Sequence, residues 1–355
     1  MSMALPATQN ALWIVSPKGP WSVGLNGVPT PGQGEVLIRI ESTALNPVDW
    51  KEHDYDHFIL RQLEYPVILG TDSAGIVVAV GDSVQKVNVG DRVLHQGISG
   101  LRQATFQEYT IASEDFVAEI PSQISFDEAS SLPVAVATAA IGLYAPKAEF
   151  GGAALTAPWK DGGAGKYADE PILVIGGSSA VGQAVIQYAK LSGFYPIITT
   201  VSPSNNDLVT SFGATHPLDR NKPLSTLAHS IKAITSKPLT IIYDAIALSD
   251  TQNAAYQILA EGGTLIIVLL KTAVKEEDRV QGKEIVTPLG CAPIQDAFGK
   301  EIYAHLTSYL QNRDIKPNRI QYISGGLASI PDALDLLRKN KVSGKKLVVR
   351  PPETA

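Results

Sequence analysis

The chain has 355 residues, 45% hydrophobic and 18% charged, with a formal net charge of −6 and one cysteine, Cys291. That length predicts two domains. The absence of a Lys/Arg run excludes a nucleic-acid footprint, and a lone cysteine excludes a disulfide framework or a Cys-rich zinc site, leaving Cys291 as a packed small hydrophobe. The start of the chain lacks a basic region followed by a cleavage site, and its longest apolar stretches are too short to span a bilayer. An intracellular, cytoplasmic protein with no membrane partner is expected.

In chain order, residues 1–125 alternate β-like runs ("EVLIRIESTALN", "AGIVVAVG", "DRVLHQ", "FQEYTIA") with Gly-Asp turns, which predicts a β-rich, barrel-like domain. From Asp127 an acidic start followed by an Ala-rich run predicts a helix through "LPVAVATAAIGLYA". Residues 146–170 are rich in Gly, Ala and Pro without periodicity and read as a long surface loop. Strands are then predicted at 172–175, 196–201, 240–244 and 264–269, with helices such as 206–212 and 251–260 between them. That alternation means a parallel sheet covered on both faces. The tail from residue 320 reads as strand, helix, strand and is expected to rejoin the first domain.

The stretch "ILVIGGSSAVG" carries the most chemistry. A continuous apolar strand runs into Gly176 and Gly177, with Gly182 beyond, so the turn is tight and backbone can approach a ligand closely. Ser179 is placed to cap a helix that buries Val181, Ala184, Val185, Tyr188 and Ala189 at helical spacing. Free N–H groups and the positive end of a helix dipole stabilise an anion there, and a pyrophosphate fits. The G-G-x-x-x-x-G spacing is not the usual dinucleotide fingerprint, and a plain tight turn is the alternative. The strand before, the helix after and a second strand 20–25 residues on favour a dinucleotide.

The end of the second strand selects which one. An acid there grips a ribose 2′-hydroxyl. Here "IITTVSPSNN" supplies Thr200, Ser202, Ser204 and Asn205, with no carboxylate until Asp207. Hydroxyls and amides accept a 2′-phosphate that a carboxylate would repel, so NADPH is expected over NADH. Arg220, past the third strand, is read either as a further contact to the adenosine or as a solvated loop arginine.

At this point a family is legible. In "ALNPVDWK" (44–51), "GTDSAGIVVAVG" (70–81), "VGDRV" (89–93), "FQEYT" (106–110), "LPVAVATA" (132–139), "VIGGSSAVG" (174–182) and "YDAI" (243–246), the chain resembles the zinc-free, quinone-oxidoreductase-like branch of the medium-chain dehydrogenase/reductase superfamily. "SPSNND", the loop at 146–170 and "VSGKKLVVR" are similar to fungal enoyl reductases that act in trans with polyketide synthases. The resemblance implies an α/β fold: a Rossmann domain (126–314) inserted into a GroES-like β domain built from 1–125 and 315–355, with the nicotinamide in the cleft between them.

Zinc-dependent relatives carry a cysteine, a Gly-His-Glu motif and a four-cysteine lobe. This chain has Asn46 and Gly70-Thr71-Asp72 at the matching positions and no lobe, so no metal is expected. The pair His53 and His57 in "KEHDYDHF" is read as a solvated loop or a substrate edge. The resemblance implies that Val48, Asp49, Trp50 and Lys51 reach the nicotinamide end and that Thr138 approaches its carboxamide or ribose. It places Gly177, Ser178, Ser179, Ala180 and Val181 on the pyrophosphate, and Ser202, Pro203, Ser204 and Asn205 on the 2′-phosphate. Val268, Leu269, Leu347 and Val348 would line the nicotinamide side. Lys51 and Thr138 are the candidate catalytic residues, each with a plain alternative: a surface lysine, and a threonine bonded to its own helical turn. The implied reaction is reduction of an activated C=C in an enoyl thioester, enone or enal. Quinone or carbonyl reduction, or NADPH binding without turnover, are the alternatives. The substrate is a free small molecule or one tethered to a polyketide synthase. A monomer is expected rather than a homodimer, because Pro288 falls within "EIVTPLG", the predicted last strand of the sheet.

Overall fold

The computed structural model describes residues 5–55 and 64–355. They divide into two compact units. One holds the residues up to Val134 with Leu306–Gln311 and Pro317–Ala355; the other holds Ala135–His305 and Asn312–Lys316.

The first unit opens with β1 (Thr8–Ile14), β2 (Trp21–Gly27), β3 (Glu35–Ala44), β4 (Val67–Ile68), β5 (Asp72–Val80), β6 (Arg92–Gln96), β7 (Tyr109–Ser113) and β8 (Val117–Glu119). β1 lies between β2 and β4 in one antiparallel sheet. β3 is the centre of a second, pairing with β5 and β7, while β6 and β8 continue from β5. The β3–β5 register shifts between Leu37 and Ile38 and again between Ile40 and Ser42. Such bulges bend a strand, and Val36, Ile38, Val77 and Val93 pack together with no exposure.

Helix α1 (Pro47–Tyr55) follows β3 directly. Its start is written in "NPVD": Pro47 takes the first helical position, where a missing N–H costs nothing, and Asp49 Oδ2 accepts the N–H of the capping residue Asn46 at 2.7 Å. The helix expected from residue 127 onward is two. α2 (Phe126–Ala129) is closed by a capping box between Ser125 and Glu128, and α3 (Pro133–Tyr144) starts afresh. Pro133 cannot continue a helix but can begin one.

The second unit holds β9 (Ile172–Ile175), β10 (Ile197–Val201), β11 (His216–Asp219), β12 (Ile241–Asp244), β13 (Thr264–Ile267) and β14 (Glu284–Val286). Their order is β11-β10-β9-β12-β13-β14 with every pair parallel, the dinucleotide-binding arrangement. β9, β10, β12 and β13 are buried throughout, which explains the unbroken apolar run of β9 and the Ile-rich sequences of the other three. Chain order reverses between β9 and β12, and ligands of such sheets sit at the strand ends of that switch point. α4 (Ala180–Leu191) and α5 (Asn206–Phe212) follow β9 and β10. α4 is buried beyond its predicted stripe: Gln183 and Gln187 are enclosed too, and the Gln187 side chain bonds Lys316 through both its backbone N–H and carbonyl.

Residues 146–170 carry almost no regular structure and are mostly exposed, the surface loop expected, but the loop is tied down at several points. Ala153 and Leu155 donate to Gly142 and Leu143 at the end of α3, Gly165 and Tyr167 donate to Leu191 and Ser192, and Trp159 packs on Tyr144, Tyr188, Phe298 and His305. The strand in "EIVTPLG" stops at Val286, so Pro288 lies past it and does not interrupt the edge strand β14. The stated reason for a monomer therefore loses its premise.

The chain then returns to the first unit through β15 (Ile320–Tyr322), the helix Ile330–Arg338 and β16 (Lys346–Val349). β16 runs antiparallel to β3, placing Val348 opposite Ala44. The nucleotide-binding domain is thus inserted into a β domain made from both chain ends, as expected.

Candidate functional site

Gly176 turns the chain at the end of β9 with φ +80°, and a side chain there would strike Ile246. The other two glycines serve packing: a Cβ on Gly177 would lie 2.1 Å from Thr199 Oγ1, and one on Gly182 would lie 2.3 Å from the Gly176 carbonyl oxygen. Ser179 caps α4 by accepting the Gly182 N–H at 3.0 Å. Helical geometry leaves the N–H groups of Ala180 and Val181 without intrahelical acceptors. Ser178, Ser179, Ala180 and Val181 are half-buried, a strip open to an anion beside the enclosed Gly177. Thr200 is not free for a ligand, since its hydroxyl accepts the Gly176 N–H at 3.1 Å and so fixes the turn.

The end of β10 is different. Ser202 precedes a short 3-10 turn, Pro203–Asn205, and makes no side-chain cap. Pro203 and Ser204 are exposed and Asn205 is buried. Neither serine hydroxyl nor the exposed Arg220 guanidinium makes a side-chain hydrogen bond among the described residues. The Arg220 N–H donates to Val201 O at 3.0 Å, which sets its backbone beside the end of β10. Gly177 to Val181, Ser202 to Asn205 and Arg220 therefore gather at the C-terminal ends of β9, β10 and β11. Val268 and Leu269 follow β13 at the same edge and are half-buried.

Thr138 lies on α3, 8% exposed, with its carbonyl gripped by the Tyr243 hydroxyl at 2.8 Å. Burial drives the Tyr243 pKa upward, so this hydroxyl stays a donor. Gly290 also packs closely on Thr138; a Cβ there would fall 2.0 Å from Thr138 Oγ1. Neither contact was legible in the sequence, because "YDAI" and "PLGC" become neighbours of α3 only through the fold. Cys291, next in the chain, is half-buried.

In the first unit, Val48, Asp49, Trp50 and Lys51 form the start of α1. Lys51 is half-buried, and desolvation lowers its pKa. Its ammonium sits 5.7 Å over the Trp50 ring, which the Arg338 guanidinium also approaches at 5.7 Å. Asp49 turns inward with no exposure, its carboxylate accepting the Asn46 N–H at 2.7 Å and the Thr71 hydroxyl at 3.4 Å. Leu347 and Val348 are fully buried in β16, where the Leu347 carbonyl accepts the Leu45 N–H at 2.9 Å.

Around Asn46 a buried polar cluster appears that the sequence reading missed. Asn46 Nδ2 donates to Thr71 Oγ1 at 3.1 Å and to Asp72 Oδ2 at 2.9 Å. The Lys346 ammonium lies 2.9 Å from Asp72 Oδ2 and donates to Asn46 Oδ1. Asp72 Oδ1 accepts the Val134 N–H at 2.7 Å. Asp49 lies alongside, its pKa pushed well up, first by burial and then by the charges of Glu52 and Asp72. The available signal was a lysine opening an apolar strand, "KLVV".

These positions do not fit a zinc ion. An amide, a hydroxyl and a carboxylate already paired with an ammonium replace the thiolate, imidazole and free carboxylate that zinc takes. His53 is tied to Asp54 Oδ1 and the Gly19 carbonyl and stacks on Trp21, on a helix rather than in a loop. His57 lies outside the described residues. No helix among those residues is long and apolar enough to cross a membrane.

Residues 32–122 match the alcohol dehydrogenase GroES-like domain family and residues 180–287 the zinc-binding dehydrogenase family. A trans-enoyl reductase of a Penicillium species, grgB, is 31% identical over 97% of this chain and 99% of its own length. The quinone oxidoreductase of Coxiella burnetii superposes with a TM-score of 0.74 at 23% identity, covering 97% of this chain and 99% of that one. A mycobacterial protein complexed with NADPH gives 0.74 at 21% identity, covering 97% and 100%. With two-unit topology, glycine turn and near-full-length likeness together, the chain belongs to the medium-chain dehydrogenase/reductase superfamily, among the oxidoreductases that include the fungal trans-enoyl reductases.

Proposed function

We propose that the chain is an NADPH-dependent reductase of activated C=C bonds that works without a metal. The observation that carries the reading is the end of β10: two unclaimed serine hydroxyls and a buried asparagine, with no carboxylate on β10 or in the turn 202–205, beside an exposed arginine that follows β11, in a chain 31% identical to a trans-enoyl reductase. The mycobacterial structure complexed with NADPH supports the cofactor.

The glycine turn and the N–H groups of Ala180 and Val181 hold the pyrophosphate, and Ser202, Ser204 and Arg220 hold the 2′-phosphate. When bound, NADPH supplies the hydride. Thr138, packed against Tyr243 and Gly290, positions the nicotinamide. Lys51 orients the cofactor or a polar group of the acceptor. Hydride reaches the β-carbon of an enoyl thioester, enone or enal, and a proton completes the α-carbon. The likeness to enzymes acting in trans makes a thioester tethered to a polyketide synthase the preferred substrate.

The test is NADPH oxidation with crotonyl-N-acetylcysteamine, a simple enone, a quinone and an aldehyde, alongside fluorescence titration of both cofactors. The thioester or enone should be reduced fastest without added metal. NADPH should bind at least about tenfold tighter than NADH, about 1.4 kcal/mol, with Ser202→Asp narrowing that ratio. Equal cofactor affinities, or turnover of the quinone alone, would overturn the reading.

A further inference from the structure

The buried cluster of the first unit shows where a positive charge comes from in this chain. The Lys346 ammonium, on a side chain 5% exposed, lies 2.9 Å from Asp72 Oδ2, itself fully buried, and donates to Asn46 Oδ1. Asn46 ties both to Thr71. We infer that Lys346 is the resident cation of this pocket, occupying the oxygen cage of Asn46, Thr71 and Asp72 so that no metal ion enters, and holding the start of the helix that carries Lys51.

Three observations on the page carry this. A cage of oxygens with a buried carboxylate needs a positive charge, because an unpaired buried carboxylate is strongly disfavoured. The ammonium already contacts two of its oxygens, and two cations in one small cage repel. The Asn46 backbone N–H and Asp49 close the first turn of α1 at 2.7 Å, so the ammonium that fixes the Asn46 side chain also fixes the origin of that helix. Lys346 is a positioning residue on this account: it orders Asn46 and, through it, Lys51, five residues on.

The inference deepens the proposed metal-free reduction, but its test needs neither cofactor nor acceptor. Thermal melts are recorded for the full chain and for Lys346→Ala, in tetramethylammonium chloride and then with ethylammonium or Mn²⁺ added. Lys346→Ala should melt about 10 °C below the native protein. Ethylammonium or Mn²⁺, filling the vacated cage, should restore at least half of that loss and leave the native protein unmoved. Mn²⁺ titration followed by electron paramagnetic resonance should show one bound ion in the variant and none in the native chain. Lys346→Ala/Asp72→Asn, with both charges removed, should fold with near-native melting and ignore both cations. That double variant decides the matter should the single one not fold: failure to fold even so overturns the inference. So does Lys346→Ala melting with the native protein, an Lys346→Ala loss that neither cation restores, or stoichiometric Mn²⁺ in the native chain. A failure of the reductase assay with these melts as expected would overturn the proposed function and leave the resident cation standing.

Discussion

The nucleotide end of the second unit and the charged pocket of the first are built from different materials. Around Gly176 to Gly182 the working parts are backbone: a left-handed glycine, two close approaches that exclude a Cβ, and N–H groups aimed out of a capped helix. Around Asn46 they are side chains brought from far apart, Asn46 meeting Asp72 26 residues on and Lys346 300 residues on. The first kind of site tolerates changes of side-chain identity but not a change of backbone volume. The second tolerates paired changes but not the loss of one charge. The contrast also separates their responses to solution conditions. A backbone cradle has nothing to titrate, whereas buried groups near the pocket change the stability of the first unit with pH.

The sharpest way to break the comparison is Gly182→Val. Its Cβ would lie 2.3 Å from the Gly176 carbonyl oxygen, and both partners are backbone, so neither rotates away. NADPH affinity should fall at least a hundredfold, about 2.7 kcal/mol, with a lower melting temperature. Near-native affinity by fluorescence titration would show that the cradle is not the backbone device described.

A smaller effect comes from His95 in β6. It is fully buried, with Nδ1 2.7 Å from Ser73 Oγ and no partner for Nε2 among the described residues, and burial lowers its pKa to about 3. The unfolded chain therefore takes up a proton near pH 6.5 that the folded one refuses, so stability falls as pH drops from 6.5 towards 3. By pH 4.5 the loss from this group is about 2–3 kcal/mol. His95→Leu should cost about 1 kcal/mol at pH 7 for the lost serine bond and flatten the acid limb. Denaturant unfolding at pH 7, 6, 5 and 4.5 measures it; an acid limb of unchanged slope would remove His95 as its source.

The same contrast explains what could be read from the sequence. β9, its glycines and the Ser179 cap occupy consecutive residues, and local rules place them: an apolar run for a buried strand, a serine at the cap, spacing for the helix. α1 was not read as a helix, although "NPVD" holds its own first turn. The pocket was not legible, because nothing local to Asp72 or Lys346 says that β16 returns beside β3. Lysine in an apolar strand reads as an end residue until the antiparallel pairing encloses it. Pro288 misled in the opposite direction: the composition of "EIVTPLG" supports a strand, but pairing with β13 ends at Val286. Thr138 was identified through family likeness, and only the fold shows Tyr243 and Gly290 closing on it.

The finest test of the comparison is Glu52, on α1 one residue past Lys51. Its carboxylate accepts the Ser99 hydroxyl at 2.6 Å, yet burial outweighs that bond and raises its pKa to about 7. Here the folded chain holds a proton that the unfolded chain loses near the ordinary glutamate value of 4.5. The stabilisation is fully present below pH 4.5 and is lost as pH rises through 7, opposite in sign to the His95 limb. Glu52→Gln cannot ionise, and its amide oxygen still accepts from Ser99. The variant should gain stability relative to the native chain between pH 5 and 8, by about 1–2 kcal/mol after allowance for partial solvent screening. Removing the charge also removes one of the influences that push the Asp49 pKa upward. Paired unfolding curves at pH 5 and 8 decide the sign. A gap between variant and native chain that stays constant as pH rises would show that Glu52 ionises freely in the folded state, and that charge is less confined on this face of α1 than in the Lys346 cage.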